Sequence, residues 1–303
     1  MLTKEIIFKH WGLMVSEIKQ LSERAALLQS NDGSQWVIKR KMGEDAAKNE
    51  LKLLIYLNKQ KMKVPSPFLS INGDYFVNVE EEKYCLYSYL PGKVFSASES
   101  LQHPQLFGKT LAVLHKGMDQ EKLEADFVKK DLYQMVYGWA VDQIGKVDDH
   151  IQLKTIFQEM EMELRDRVGN IKKQLIHRDA HFKNMVYFKE QEMGIIDFEI
   201  AEVNVRIFDL CYCATSVLNE IFLDKRLKEQ WIHFVEKLVD TYHQNNPLSQ
   251  LEYGSIWYVM LSIQAIFMAY FAHIPHLYKI NKEMFLWIYE KKELICSLEE
   301  SIG

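Results

Sequence analysis

Between Leu175 and Asp209 the sequence places His177-Arg178-Asp179, Asn184, Ile196-Asp197-Phe198 and Asp209 at spacings that phosphoryl transfer can use. Moving a γ-phosphoryl group needs a carboxylate that orients the attacking hydroxyl and accepts its proton, and ligands for a Mg²⁺ that neutralises phosphate charge. Asp179 suits the first task. Asn184 follows at the D-x-x-x-x-N spacing of a kinase catalytic loop, in which the Asn oxygen helps hold metal. A hard cation takes oxygen ligands, so Asp197 is the natural partner of Asn184. Taken singly, H-R-D is a weak tripeptide and carboxylates flanking a hairpin are usually solvated turn residues. The combination, in order and with apolar strands where the geometry needs them, favours phosphoryl transfer.

Positioning these groups calls for a hairpin. Asn184-Met185-Val186-Tyr187-Phe188 reads as one strand, the polar Lys189-Glu190-Gln191-Glu192 as a reversal, and Met193-Gly194-Ile195-Ile196 as a second strand ending at Asp197. Such a hairpin is expected to bring Asn184 and Asp197 to the same end of two adjacent strands, where both can reach one ion.

The segment resembles the aminoglycoside phosphotransferase and choline kinase superfamily, whose loop reads H-x-D-x-x-x-x-N, followed by I-D-F/W-E and a downstream D-L or D-I. Here the loop stands as His177-Arg178-Asp179-Ala180-His181-Phe182-Lys183-Asn184, then Ile196-Asp197-Phe198-Glu199 and Phe208-Asp209-Leu210. Arg178 replaces the family's common Gly. The resemblance implies an α+β, bilobal protein-kinase-like fold with a small antiparallel-sheet N-lobe and a larger, mainly helical C-lobe. It implies Asp179 as base and Asn184 and Asp197 as Mg²⁺ ligands. His177, Glu199 and Asp209 are implied as supporting residues, Asp209 by bracing the catalytic loop.

That resemblance requires a nucleotide-binding lobe upstream. Gln35-Trp36-Val37-Ile38-Lys39 is a short strand entered through the turn Asn31-Asp32-Gly33-Ser34. Lys39 is expected to contact the α- and β-phosphates, as its family counterpart does. Glu50 lies on a segment with apolar residues at 47, 51, 54 and 57, a helical period. A Lys39–Glu50 ion pair is expected to fix the lysine; the alternative is a surface helix with an ordinary acidic residue. Tyr84 to Leu90 resembles the family's hinge, with Ser88 and Leu90 as candidates for the adenine edge. Phe68–Ile71 and Tyr75–Val79 read as a strand pair around Asn72-Gly73-Asp74. One departure is the phosphate loop, Leu21 to Leu28, which contains no glycine, although Ser22 or Arg24 could serve there.

Downstream, periodicity predicts helices over about 104–116, with Gly117 as a stop, then within 124–170, 206–223, 225–245 and from 282. Phe127, Leu132, Met135, Val136 and Trp139 form an apolar stripe that reads as core. Tyr253 to Tyr278 carries no formal charge and approaches the length of a membrane span. Ser262 and Gln264 interrupt it and no basic flank borders it, so a buried helix is expected, with its aromatics and Gln264 available to line an acceptor pocket.

Composition fits a soluble enzyme: 303 residues, 48% hydrophobic and 26% charged. The division is expected at Pro91-Gly92, giving a nucleotide-binding lobe over 1–92 and a catalytic, acceptor-binding lobe over 93–303. The first carries a net charge of +2 and the second −7, which suits ATP and an amine-bearing acceptor unless the charge is only solvated surface. No basic cluster with interleaved aromatics suggests nucleic acid. Cys85, Cys211, Cys213 and Cys296 lack paired spacing and read as reduced thiols of a cytoplasmic protein. The expectation is an ATP-dependent, Mg²⁺-requiring kinase, GTP not excluded, acting on a small-molecule hydroxyl. Possible acceptors are an amino alcohol, an aminoglycoside, homoserine or a sugar. The competing class is a kinase-fold binding protein with little catalysis.

Overall fold

The computed structural model describes residues 2–188 and 192–297. Contacts divide the chain into two compact units, one formed by residues 1–93 and 194–200, the other by 94–193 and 201 onward.

The first unit is built on an antiparallel sheet. Helix α1 (Lys4–Trp11) starts where the Thr3 hydroxyl accepts from Ile6 N at 3.3 Å and stops at Gly12, whose φ of +69° a residue with a Cβ rarely adopts. Strands β1 (Val15–Gln20), β2 (Ala25–Ser30) and β3 (Gln35–Lys41) follow as a meander. The β2–β3 reversal falls at the predicted Asn31–Ser34, where Asp32 accepts from Ser34 N at 2.9 Å. Ile7, Leu28, Ile38 and Leu86 share the core beneath the sheet. Helix α2 (Glu44–Lys59) buries Ala47, Leu51, Leu54 and Leu57, the four positions that gave its period.

Strands β4 (Pro67–Phe68), β5 (Val77–Val79) and β6 (Glu82–Ser88) complete the sheet, in the order β1-β2-β3-β6-β4 with β5 also on β6. The segments either side of Asn72–Asp74 therefore do not pair with each other. β6 is long enough to take both, Phe68 opposite Leu86 and Val77 opposite Tyr84. Within the same unit, Ile195 N donates to Lys63 O at 3.1 Å.

The second unit is mainly helical. Helix α3 (Pro104–Met118) runs through Gly117 rather than stopping there. Glycine costs a helix about 1 kcal/mol, less than the burial of Leu114, His115 and Met118 around it returns. Helix α4 (Ile151–Asn170) precedes β7 (Lys173–Ile176), which pairs antiparallel with β10 (Glu202–Val205); β8 (Met185–Tyr187) also lies in this unit, and β9 (Met193–Ile195) spans the point at which the chain passes to the first unit. Phe188 N donates to Glu192 O at 2.8 Å beside the predicted reversal, whose residues 189–191 lie outside those described. Helices α5 (Ile207–Ile221), α6 (Lys225–Asn245), α7 (Ile256–Tyr270) and α8 (Pro275–Glu290) complete the unit.

Two details shape this unit. At Gly108, a Cβ would stand 2.4 Å from Leu238 O, so α3 and α6 approach closely only because that position has no side chain. Over Val136–Ala140 the backbone takes a π-helical turn. The wider turn shifts the expected stripe: Phe127, Leu132 and Val136 are buried but Trp139 is exposed. Helix α7 is buried over most of its length, and no helix among the described residues is long and apolar enough to cross a membrane. Cys85, Cys211 and Cys213 are buried free thiols.

Candidate active site

Strand β7 delivers the chain to His177-Arg178-Asp179, and Asp209 in the first turn of α5 holds that loop by its backbone. Its carboxylate accepts from His177 N at 2.7 Å and Arg178 N at 2.9 Å, and one oxygen lies 3.0 Å from His115 Nε2. The other ring nitrogen of His115 meets the Tyr242 hydroxyl at 2.8 Å. All four side chains, those of His115, His177, Asp209 and Tyr242, are buried, so every bond in this chain acts in a low-dielectric setting.

Arg178 has φ +72°, a left-handed conformation that costs a residue with a Cβ about 1–2 kcal/mol. This explains the glycine common at the position. Here the guanidinium is held 3.2 Å from Glu202 and over the Phe208 ring at 4.3 Å. Burial pushes the Glu202 carboxyl up, opposed by Arg178 and by the hydrogen bond from Asn204.

Asn184 Nδ2 donates both to the Asp179 carbonyl and to its carboxylate, each at 2.9 Å. The amide oxygen of Asn184 is thereby left as its ligand end. The Tyr212 phenol lies within electrostatic reach of Asp179; burial pushes it well up, and the Asp179 charge adds to the shift. His181 caps the turn Phe182–Asn184 by accepting from Lys183 N at 3.1 Å; burial, then the Lys183 charge, lowers its pKa to about 4.

Tyr212 leads directly to a pocket. Together with Phe267, Phe271 and Gln264 it walls a cavity of about 170 Å³ within the helical unit. The expected contribution of the α7 aromatics and Gln264 to a pocket is therefore present in the structure.

In the first unit, Lys39 Nζ lies 2.8 Å from Asp197, which also has a left-handed backbone, φ +72°. Glu50 does not pair with Lys39. It takes the ammonium of Lys41 and the Tyr87 hydroxyl, the latter at 3.1 Å, and both Lys41 and Glu50 are buried. The period of two along a strand puts Lys39 and Lys41 on one face of β3. Spacing from Glu50 alone could not choose between them; K-x-K on an inward face was the available signal. Arg24, in the glycine-free turn, pairs with Glu199 at 3.0 Å.

Ser88 does not suit the expected hinge contact through its N–H, which donates to Ser66 O at 2.8 Å while its hydroxyl accepts from Ser66 N at 2.8 Å. The last residue of β6 is still engaged by the neighbouring segment. Leu90, beyond the strand, has no backbone hydrogen bond among the described residues. The donors expected at the metal, the Asn184 amide oxygen and the Asp197 carboxylate, are hard oxygens suited to Mg²⁺, which binds few protein ligands and keeps waters and phosphates. No cluster of three or more His, Cys, Asp or Glu ligands exists among the described residues.

The sequence pattern of the phosphotransferase enzyme family matches residues 16–246. The chain belongs to that family. Solved structures agree on the fold of this phosphotransferase. An aminoglycoside phosphotransferase from Alicyclobacillus acidocaldarius matches 99% of this chain and 96% of its own at 15% identity, with a TM-score of 0.71. The amicoumacin kinase hAmiN, solved with AMP-PNP, Ca²⁺ and Ami, matches 99% and 92% at 14% identity and 0.70. A microcompartment-associated aminopropanol kinase matches 97% and 94% at 15% identity and 0.69. At these identities the shared property is the kinase-like α+β fold, with its antiparallel sheet and larger helical part.

Proposed function

We propose that this phosphotransferase moves the γ-phosphoryl group of ATP onto a hydroxyl of a small molecule, with Asp179 as the base. The observation that carries the reading is the setting of Asp179. Its loop is pinned through backbone N–H groups to buried Asp209, its carboxylate is held by Asn184, and it lies within electrostatic reach of Tyr212, a wall of the helical unit's pocket.

In this reading the acceptor hydroxyl enters from that pocket, and Asp179 orients it and takes its proton as the new O–P bond forms. Lys39 contacts the nucleotide phosphates, exchanging its pairing with Asp197 for theirs. Leu90 offers its backbone to the purine edge. Asn184 and Asp197 are the side chains that would hold Mg²⁺. When bound, the ion supplies neutralisation of the charge spread over the β- and γ-phosphate oxygens. Glu199 holds Arg24 in the glycine-free turn, giving a guanidinium where other kinases present backbone N–H groups.

Asp179→Asn is the test. Turnover of ATP with a pool of alcohol acceptors should fall by about 10²–10⁴, while Mg·ATP affinity stays within a few-fold, because a base acts on the transition state far more than on ground-state binding. Equal loss of both would reject Asp179 as the base.

A further inference from the structure

The pocket beside Asp179 has a wall chemistry that narrows the acceptor. Tyr212, Phe267 and Phe271 give it aromatic faces, the first two rings stacked with centroids 5.8 Å apart and the last two 6.2 Å apart. No Asp, Glu, Lys or Arg lines it. The negative balance of the helical half therefore does not reach this wall.

Several polar groups on the wall have protein partners, among them His181, whose Nδ1 accepts from Lys183 N at 3.1 Å. The hydroxyl protons of Thr215 and Ser216 go to the Tyr212 and Cys213 carbonyls at 3.3 and 2.8 Å. Asn281 Nδ2 donates to Leu277 O at 2.8 Å and Asn219 Nδ2 to the Met284 sulfur at 3.5 Å. Gln264 is different. It lies in the middle of α7, only 2% exposed, yet its amide makes no hydrogen bond among the described residues, and Oε1 is fully buried without a partner. A buried amide left unpaired is costly, and the native exceptions call for a function or a missing ligand.

We propose that Gln264 is the recognition group for the acceptor, and that the acceptor is an uncharged alcohol bearing a second hydroxyl or an amide. This inference rests on the phosphotransferase reading of the same site. The primary amide both donates and accepts, so a hydroxyl or another amide satisfies both ends. An ammonium only donates and would leave Nε2 unpaired. A carboxylate only accepts and would leave Oε1 unpaired. A carboxylate would also leave water for a wall that offers no counter-charge, which a buried charge requires. The aromatic faces take the apolar part of the same molecule. Tyr212 belongs to this wall and lies within electrostatic reach of Asp179, so an alcohol anchored at Gln264 has its reacting end toward the proposed base.

Three two-carbon alcohols differing at one end test this: glycolamide, neutral; glycolate, an anion of the same shape; and ethanolamine, a cation. Binding to the full chain is read by saturation-transfer NMR and titration. Glycolamide should bind at least about tenfold more tightly than either ion, the scale of one well-made hydrogen bond. Gln264→Met should weaken glycolamide about tenfold and erase the preference. Gln264→Glu should move the preference to ethanolamine, which a merely structural role for the position would not do. Binding of glycolate or ethanolamine as tight as glycolamide, no binding of glycolamide, or unchanged selectivity in both variants would overturn the proposal. Mg·ATP binding, measured in the same samples by thermal shift, separates the outcomes. Its absence counts against the kinase reading, whereas intact nucleotide binding with the wrong selectivity counts against the acceptor class alone.

Discussion

The two units hold their candidate functional groups by different means. In the helical unit, the loop of Asp179 is fixed through its backbone: His177 and Arg178 N–H groups end on the buried Asp209 carboxylate, which His115 and Tyr242 secure in turn. In the sheet unit, Lys39 meets Asp197 through one side-chain ion pair, and Asp197 is 40% exposed at its side chain. Backbone bonds in a dry interior are costly to break and so hold one geometry. A part-exposed ion pair can trade partners at little cost, because water and a phosphate compete for it on nearly equal terms. On the proposed reading the difference separates positioning from binding: a base needs one geometry, while a lysine proposed to contact the nucleotide needs a new partner in every cycle.

Removing Asp209 would test the fixed side most severely. Asp209→Ala strands two buried backbone donors and should destabilise the protein by about 3 kcal/mol or more, seen as a lower melting temperature. Turnover in the folded fraction should fall further than nucleotide affinity. A variant that melts normally and turns over normally would show that the loop holds itself. The two lysines of β3 sharpen the comparison next. Lys41→Met leaves Glu50 buried without its cation and should cost about 3–5 kcal/mol in thermal or urea denaturation. Lys39→Met should cost under about 1 kcal/mol, since its partner is part-exposed, and should instead raise the KM for ATP. Reversed outcomes would interchange the roles of the two residues. The smallest effect is expected at Arg178→Gly. Relief of the left-handed backbone, about 1–2 kcal/mol, opposes loss of the Glu202 and Phe208 contacts, so the midpoint of urea unfolding should move by no more than about 1 kcal/mol.

Much of this was legible in the chain. The segments of the proposed site stood out because phosphoryl transfer would fix their spacing, and the β2–β3 turn because Asn-Asp-Gly-Ser supplies both a side-chain acceptor and a left-handed glycine. Other features depend on what lies across space. Lys39 and Lys41 are equivalent by strand period, and only the placement of Glu50 distinguishes them. Gly117 carries a stop signal that burial of its neighbours overrides. The segments flanking Asn72–Asp74 looked self-complementary, but β6 offered each of them a partner. Trp139 leaves the apolar stripe because a π-turn adds a residue to the register, which no average period foretells. Ser88 is the last residue of β6, and its N–H is already spent on Ser66 O.

Gly108 gives the buried chain behind Asp179 an unexpected origin. It lies seven residues before His115, two helical turns along the same face of α3, and that face meets α6 at both points. The spacing that lets His115 touch Tyr242 is thus set where a hydrogen atom stands in place of a carbon. A methyl group added there would wedge the helices apart and loosen the grip on Asp209, so a mutation that touches neither substrate nor nucleotide could still slow the reaction.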